Sequence, residues 1–176
     1  TALAQALTPL IALEDIQRIL DEYGDVYSER YVELMAQKLG LTYHGLEDFA
    51  LIEPLLEMMR VSELDYTNLF RQLGSFNSAP GELNSGLRDR FINRAAFDEW
   101  AAAYRARLQA EAGSDAERKL GMAKVNPKYI LRNYLAQVAI GKAEKERDFS
   151  EVDRLLALLR RPFDEQPEME SYAAPA

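Results

Sequence analysis

The sequence predicts an all-α fold, an irregular multi-helix bundle of about six to eight helices with one loop rich in glycine and proline. Most periodic segments space their apolar residues three and four apart, as one face of an α-helix requires. Capping side chains precede several of these segments, and no segment alternates apolar and polar residues as a half-buried strand does. The 176 residues suffice for a core, and we expect one helical domain over 1–176.

The first long helix is expected between Leu13 and Leu39, with Gly40 as its C-terminal stop. Gly24 costs such a helix about 1 kcal/mol relative to alanine without necessarily breaking it. The apolar residues predict one buried face: Ile16, Ile19, Leu20, Tyr23, Val26, Tyr27, Tyr31, Leu34 and Met35. We interpret the row of three tyrosines in this face as part of a core or an interface, rather than as a platform for stacking bases.

Two shorter helices are expected after this one. The first runs from Asp48 to Arg60, where Pro54 either kinks the helix or marks its first turn. The second opens at 62–65, SELD, which resembles a capping box with aspartate in the place of glutamate. The segment 74–86, GSFNSAPGELNSG, is then expected to be a surface loop that is disordered in part, because it holds three glycines and a proline.

Residues 88–111 return to a helical pattern, within which Asn93 could restart the helix as a cap. The residues expected to be buried here are Phe91, Ile92, Phe97, Trp100, Tyr104 and Leu108. After Gly113-Ser114 the sequence predicts only a short helical turn before the next helix begins.

The next helix is expected to start at Asn126-Pro127, because asparagine caps helices and proline lacks an N–H that the first helical position does not need. It would bury Ile130, Leu131, Tyr134, Leu135, Val138 and Ala139. Ser150 with Asp153 predicts the cap of a final helix, which Pro162 ends. The polar tail at 165–176 contains prolines and is expected to be flexible.

Composition narrows the class of protein. Asp and Glu (29) outnumber Lys and Arg (21), so the formal net charge of −8 argues against a surface that binds nucleic acid. The absence of cysteine excludes disulfides and thiolate metal sites, and it is compatible with a reducing cytosol. No apolar run approaches the roughly 20 residues of a membrane span, so no membrane partner is expected.

Sequence patterns that carry catalysis are not evident. The glycines of 74–86 match neither a G-x-x-x-x-G-K-[ST] loop nor a G-x-G-x-x-G turn, and the 148–150 string DFS has serine where D-F-G has glycine. His44, the single histidine, is interpreted as a solvated turn residue because no partner that would fix its tautomer is evident. Glu47-Asp48 is interpreted as a pair of helix-terminal charges. We therefore predict no catalytic, cofactor-binding or metal-binding residue in this chain.

Three strings in the last third of the chain are distinctive: VNPKYILRN at 125–133, DFSEV at 148–152 and RRPFDEQP at 160–167. Weaker ones are LAQAL at 3–7, KLGL at 38–41 and DYTNLFR at 65–71. Together they resemble the C-terminal end of the selenoprotein O family, whose members are kinase-like protein adenylyltransferases. The likeness runs along essentially the whole chain.

The resemblance implies the activity of a longer protein. Members of the family transfer AMP from ATP to hydroxyl side chains of other proteins, with magnesium, and their nucleotide-binding and catalytic residues all precede the matched region. This chain would then be the C-terminal helical portion, non-catalytic itself, that braces an N-terminal kinase-like domain. ATP and magnesium would be cofactors of the parent protein only, and its partners would be that domain and the protein substrates. A bacterial, cytoplasmic protein is implied.

Four residues are candidates for a structural or regulatory role: Asn126, Pro127, Arg132 and Asn133. We expect Arg132 to pair with a carboxylate or a neighbouring helix terminus, because its planar guanidinium suits fixed bidentate contacts. Asn133 is expected to bond a loop backbone. The alternative hypothesis is that Arg132 supports the activation segment of the kinase-like domain from outside.

Two functional classes remain open at this point. The chain is either the bracing part of an adenylyltransferase or a stand-alone helical module that binds proteins through an apolar groove. It begins at Thr1 without an initiator methionine and looks cut from something longer. If Thr1 to Ile11 packs against a preceding domain, this chain should expose apolar surface or bury it in a dimer, whereas a self-sufficient module should bury it internally.

Overall fold

The computed structural model describes residues 2–43 and 45–175, and the chain over those ranges forms helices joined by loops and turns, without a strand. The all-α prediction is therefore confirmed. The α-helices described there are α1 Ala2–Ala6, α2 Leu13–Lys38, α3 Phe49–Val61, α4 Tyr66–Leu73, α5 Ser85–Arg88, α6 Arg94–Gln109, α7 Asp115–Val125, α8 Asn133–Glu146 and α9 Ser150–Leu159. Short 3-10 helices lie at Leu46–Asp48 and Pro167–Ala173.

The main hydrophobic core lies where the C-terminal half of α2 meets α3, α4, α6 and α7. Two large side chains of α6 are buried at its centre with their polar tips satisfied. Trp100 Nε1 donates to the Leu51 carbonyl at 2.9 Å, and the Tyr104 hydroxyl donates to the Leu39 carbonyl at 2.5 Å. Burial raises the pKa of Tyr104, so the hydroxyl stays a neutral donor. The ring of Phe76 packs against both side chains.

A second, smaller hydrophobic cluster joins α8 to α9. Leu135 and Ala139 of α8 pack with Leu155 of α9, and the rings of Tyr134 and Tyr172 lie against them. The two cores are therefore built from different parts of the chain, with the irregular segment 126–132 between them in the sequence.

Several predicted boundaries are confirmed. Helix α2 runs unbroken through Gly24, and Gly40 follows it with φ +73°, a conformation in which a Cβ would also lie 2.8 Å from the side chain of Met122. Asn93 caps α6 by accepting the amide hydrogen of Ala96 at 3.1 Å. Pro54 lies inside α3 beyond the first turn, so it does not mark the start of that helix.

The capping box predicted at 62–65 is wrong. The amide of Ser62 completes α3 by donating to the Met58 carbonyl at 3.0 Å, so this residue ends one helix instead of opening the next. Asp65 is the N-cap of α4, and its carboxylate accepts the amide hydrogen of Asn68 at 2.8 Å. The acidic side chain nearest to the new helix therefore takes the capping role.

The cap predicted at Ser150 is also wrong. Phe149 occupies the N-cap position of α9, and Ser150 is the first helical residue. The carboxylate of Asp148 accepts both the amide and the hydroxyl hydrogen of Ser150, at 2.9 and 3.0 Å. The serine hydroxyl is thus occupied by its neighbour. The helix ends at Leu159, before Pro162, as predicted.

The helix predicted over 88–111 is realised as α6 from Arg94, because α5 already ends at Arg88 and Asn93 restarts the helix. Ile92 lies in the connection and is exposed instead of buried, whereas the other five apolar residues predicted for this core are buried. The short turn predicted after Gly113-Ser114 is the eleven-residue α7, which opens with a capping box between Ser114 and Glu117.

The loop predicted at 74–86 is ordered by contacts with α6 and α7. Phe76 is buried in the main core. The amide of Ser78 donates to the Asp115 carboxylate at 2.8 Å, and its carbonyl accepts from Gln109 at 3.1 Å. The last two residues of the range already belong to α5. The segment is thus a surface loop that one aromatic side chain anchors in the core.

The helix start predicted at Asn126-Pro127 is wrong, because α7 ends at Val125 and α8 begins only at Asn133. The residue before a proline disfavours the helical region, and Asn126 accordingly has extended dihedral angles, φ −99° and ψ 104°. The amides of Lys128 and Tyr129 both donate to the Pro162 carbonyl, at 2.8 and 3.1 Å. These contacts hold 126–132 as an irregular segment.

The tail predicted to be flexible at 165–176 is packed against the helices over the residues described. The Tyr172 hydroxyl donates to Glu151 of α9 at 2.5 Å, and the Asn68 side chain of α4 donates to the Ala173 carbonyl at 3.1 Å. The pKa of Glu151 is lowered chiefly by the bond from Tyr172. The tail thus has hydrogen-bond partners on α4, α8 and α9, which its composition does not reveal.

The buried face predicted for the first long helix is buried only in part. Ile16 and Met35 are shielded, but Ile19, Tyr23 and Tyr27 are exposed. Most apolar residues of 2–11 are also exposed, among them Leu3 (74%) and Leu10 (81%). Over the described residues, these side chains are therefore not buried internally. The prediction made for His44 lies outside the described residues.

Candidate functional site

Two of the distinctive strings of the sequence, 125–133 and 160–167, meet in one place. The segment 126–132 lies beside 162–166, where Tyr129 is buried and its hydroxyl donates to the Gln166 carbonyl at 2.9 Å. The buried Gln166 in turn donates its side-chain amide to the Arg161 carbonyl at 2.9 Å. We call the polar cluster around this contact the polar junction: Asp65, Arg71, Asn126, Lys128, Arg132, Glu165 and Glu170.

Arg71 is the residue of the polar junction with the most partners. Its guanidinium donates to the carbonyls of Ala123 at 2.6 Å, Asn126 at 2.9 Å and Phe163 at 3.0 Å. It also donates to the Glu165 carboxylate at 2.8 Å. A planar guanidinium with five N–H donors can bind several acceptors at once, so this side chain ties α4 to the end of α7 and to the 160–167 string.

Arg132 pairs with Asp65 through two hydrogen bonds of 2.6 and 3.0 Å. The Arg132 side chain is only 9% exposed, and Asp65 is also the N-cap of α4. The hydrogen bond from Arg132 is the main reason that the pKa of Asp65 lies below its usual value. Arg132 was expected to pair with a carboxylate or with a neighbouring helix terminus. Asp65 is both, because its carboxylate also caps the start of α4.

Lys128 is bound by two carboxylates of the tail. Its ammonium donates to Glu165 at 2.6 Å and to Glu170 at 2.5 Å. Burial alone would lower the pKa of Lys128, but the hydrogen bonds to the two carboxylates outweigh it and raise the pKa. The pKa of Glu165 is lowered by the bonds from Lys128 and Arg71. All these groups stay charged near neutral pH and hold the tail against 126–132.

The other three predicted site residues lie in different surroundings. Asn126 is buried, and its side chain donates to the Lys38 carbonyl at 2.8 Å while accepting from the Lys38 ammonium at 3.3 Å. Pro127 lies beside it in the irregular segment. Asn133 is exposed at the start of α8, and no hydrogen bond of its side chain is found among the described residues. The structure therefore joins Asn126 and Arg132 in the polar junction but leaves Asn133 outside.

A groove of about 820 Å³ opens over the polar junction. Its charged lining consists of Glu63, Asp65, Glu165 and Glu170 with Arg71, Arg90, Lys128 and Arg132. Four acidic and four basic side chains balance, and three of the cations are already bound by carboxylates of the chain. The groove therefore does not fit a triphosphate with magnesium. What this arrangement can do chemically is hold helices in a fixed relation.

Over 2–43 and 45–175, no cluster of three or more His, Asp or Glu side chains is arranged to hold a metal ion. None of the helices described has both the length and the apolar character needed to cross a membrane.

Comparison with known proteins gives a consistent answer. The family model described as protein adenylyltransferase SelO matches residues 1–160. The chain is 52% identical to the protein nucleotidyltransferase YdiU of Thioalkalivibrio sulfidiphilus over 178 residues and 49% identical to that of Herminiimonas arsenicoxydans over 174 residues. Each match covers 98% of this chain but only 36% and 35% of the relative, respectively. The chain thus spans about a third of the length of the curated relatives that it matches.

Proposed function

The chain belongs to the protein adenylyltransferase SelO family, and from this premise we propose that it is the non-catalytic helical part that braces the catalytic part of such an enzyme. The whole protein would transfer AMP from ATP, with magnesium, to serine, threonine or tyrosine hydroxyls of other proteins. Its nucleotide and metal would be bound by the kinase-like part that this chain does not span. A bacterial, cytoplasmic location stays a prediction of the same proposal.

The observation that carries the proposal is the polar junction. The strings that resemble the family contribute Arg71, Lys128 and Arg132, and each of these cations is bound to carboxylates or carbonyls of another segment of the chain. Cations that serve a substrate phosphate need free donors directed at the ligand. Cations bound in this way fix the relative positions of helices, which is the task of a brace.

The exposed apolar residues of 2–11 support the same proposal. Leu3 and Leu10 have no core to pack into within the described chain. Exposed apolar side chains that cluster on one segment are typical of a surface that contacts another domain. The arrangement favours the bracing role over a stand-alone module.

The test compares this chain alone with a full-length protein. The full-length protein is made by placing this chain in the matching region of the Thioalkalivibrio sulfidiphilus relative, and we call it the joined protein. We expect the joined protein to label protein hydroxyls with AMP when given magnesium and ATP labelled on its α-phosphate. We expect the chain alone to show no heat of ATP–magnesium binding by titration calorimetry. Saturable ATP binding by the chain alone would overturn the assignment.

Two variants of the joined protein separate bracing from other effects. Arg71→Ala removes the hub of the polar junction, so we expect the melting temperature and the rate of AMP transfer to fall together. Leu120→Gln alters an exposed apolar side chain of α7 and should leave both unchanged. A loss of transfer in Arg71→Ala with an unchanged melting temperature would contradict the bracing role and point to a direct part in catalysis.

A further inference from the structure

Helix α2 carries two apolar faces, and the core of this chain uses only one of them. We propose that the second face is the docking surface for the catalytic part of the SelO-family protein, and that this part presents an apolar ridge with basic residues along one side. We call this face the exposed stripe; it consists of Ile19, Tyr23, Val26 and Tyr27. The inference rests on the proposed function and names the contact through which the brace acts.

The two faces point in opposite directions around the helix. The C-terminal half of α2 and its cap bury Val32, Met35, Ala36 and Leu39 in the main core. At about 100° per residue, the mean direction of the exposed stripe lies roughly 175° from that of these four residues. The exposed fractions of the stripe residues are 50% for Ile19, 65% for Tyr23, 63% for Val26 and 58% for Tyr27. The folding of this chain therefore leaves the stripe uncovered.

The aromatic side chains of the stripe are already arranged for contact. The rings of Tyr23 and Tyr27 stack at 6.2 Å, those of Tyr27 and Tyr31 at 6.3 Å, and Tyr31 stacks on Phe49 at 6.0 Å. This ladder connects the stripe to Phe49, which packs against the main core. Side chains that are ordered before binding lose little conformational entropy on contact, which favours a specific interface.

The charges around the stripe indicate the chemistry of the partner. Between residues 13 and 34, the acidic residues of α2 are Glu14, Asp15, Asp21, Glu22, Asp25, Glu29 and Glu33, and the basic residues are Arg18 and Arg30. Arg18 is paired with Asp15 and Glu22 on the same helix. At about 100° per residue, four of these acidic residues lie along one side of the stripe: Asp15, Glu22, Glu29 and Glu33. Arg30 lies in the direction of the stripe itself and pairs with Glu33. A complementary surface therefore carries lysine or arginine along one side of an apolar centre.

The same charges argue against a second copy as the occupant. An antiparallel two-fold contact between the stripes of two copies would bring the acidic side of one stripe against the acidic side of the other. Like charges facing each other across an interface disfavour that contact. The chain covers only 35–36% of its relatives, so the rest of such a protein provides a surface of ample size.

The test measures the accessibility of the tyrosines directly, independently of activity. Tetranitromethane nitrates exposed tyrosines, and peptide mass spectrometry gives the rate at each position in the chain alone and in the joined protein. Tyr43 is 72% exposed and lies off the stripe, so it serves as the internal reference. We expect Tyr23 and Tyr27 to react at least fivefold more slowly in the joined protein, relative to Tyr43. Unchanged rates would overturn the proposal.

A paired variant checks the energetic role of the stripe. Ile19→Gln with Val26→Gln keeps good helix formers at both positions, so the chain alone should keep its melting temperature. In the joined protein, we expect this double variant to restore fast nitration of Tyr23 and Tyr27. Leu120→Gln is the matched control and should change neither. A double variant that leaves the tyrosines protected would contradict docking through the stripe.

The outcomes separate this inference from the proposed function. If Tyr23 and Tyr27 are protected in a joined protein that transfers no AMP, the proposed interface stands and the proposed function is refuted. If the joined protein transfers AMP while Tyr23 and Tyr27 react as fast as in the chain alone, the proposed function stands and the proposed interface is refuted. Protection in the chain alone that disappears on dilution would identify a second copy as the occupant and overturn the proposal.

Discussion

The pair between Arg132 and Asp65 provides the sharpest test of whether this part of the chain is structural. We expect Arg132→Ala to lower the stability of the chain, because it leaves the Asp65 carboxylate without its bidentate partner. A hydrogen bond to a charged group contributes about 1.5–3 kcal/mol, and removing one partner of a fully buried pair costs about 3–5 kcal/mol. Asp65 keeps 22% exposure, so water recovers part of this loss.

The expected cost of Arg132→Ala is therefore about 2–3 kcal/mol, which lowers the melting temperature by roughly 5–10 °C in a protein of this size. Thermal and urea unfolding followed by circular dichroism at the helical band measure it. Asp65→Asn keeps a capping side chain but loses the charge, and the double variant should cost less than the sum of the two single changes. Arg160→Ala, at an exposed arginine of the same chain, is the matched control.

The pH dependence of the Arg132→Ala effect gives an independent check. The pKa of Asp65 is lowered in the folded chain. The pair therefore stabilises the fold fully at pH values above the usual carboxyl pKa near 4, and it loses its effect as the pH falls through the lower pKa of the folded chain. The difference between Arg132→Ala and the unaltered chain should therefore shrink below about pH 4. An unchanged melting temperature at pH 7, together with lost AMP transfer in the joined protein, would refute the structural reasoning and support a regulatory contact.

Three further predictions concern single side chains. Tyr104→Phe removes the buried donor to the Leu39 carbonyl and should cost about 1–2 kcal/mol in urea unfolding; no loss would mean that water replaces the hydroxyl. Gly40→Ala places a Cβ 2.8 Å from Met122 at φ +73° and should cost about 1–3 kcal/mol, and an unaltered midpoint would show that the turn relaxes freely. The pKa of Glu165 is lowered in the folded chain, so its hydrogen bonds stabilise the fold at pH values above the usual carboxyl pKa and weaken in acid. Glu165→Gln should therefore flatten the fall in urea midpoint between about pH 5 and 3, and an identical acid profile would contradict this assignment.

The helices could be predicted because their signal is local. Apolar spacing and the stop at Gly40 located α2 to within one residue, and Asn93 was identified correctly as a cap. The start predicted at Asn126-Pro127 failed for a physical reason that no local pattern contains. The side-chain amide of Asn126 donates to the carbonyl of Lys38, which is 88 residues away in the sequence. In the sequence, an asparagine that binds a distant carbonyl cannot be distinguished from an asparagine that caps a helix.

The candidate site could be predicted only in part. Arg132 and Asn126 were identified from their position in a distinctive string, and both lie in the polar junction. Arg71 was missed as a site residue, although it ends the DYTNLFR string that resembles the family. Three of its four acceptors are backbone carbonyls, which every residue has, so no sequence pattern marks them as partners. Apolar spacing likewise predicted a face on α2 but could not tell which protein surface covers it.

Arg71 also has a consequence for how the chain unfolds. Its four acceptors lie 52, 55, 92 and 94 residues further along the sequence, so α4 completes its surroundings only when the last third of the polypeptide is in place. Arg71 therefore links α4 of the main core to the segments that follow α7 and α9, and loss of those segments leaves a guanidinium that is only 16% exposed without its acceptors. We expect coupling of this kind to favour unfolding in a single step, and we expect cleavage by a protease near residue 160 to destabilise α4, which lies far from the cut in the sequence.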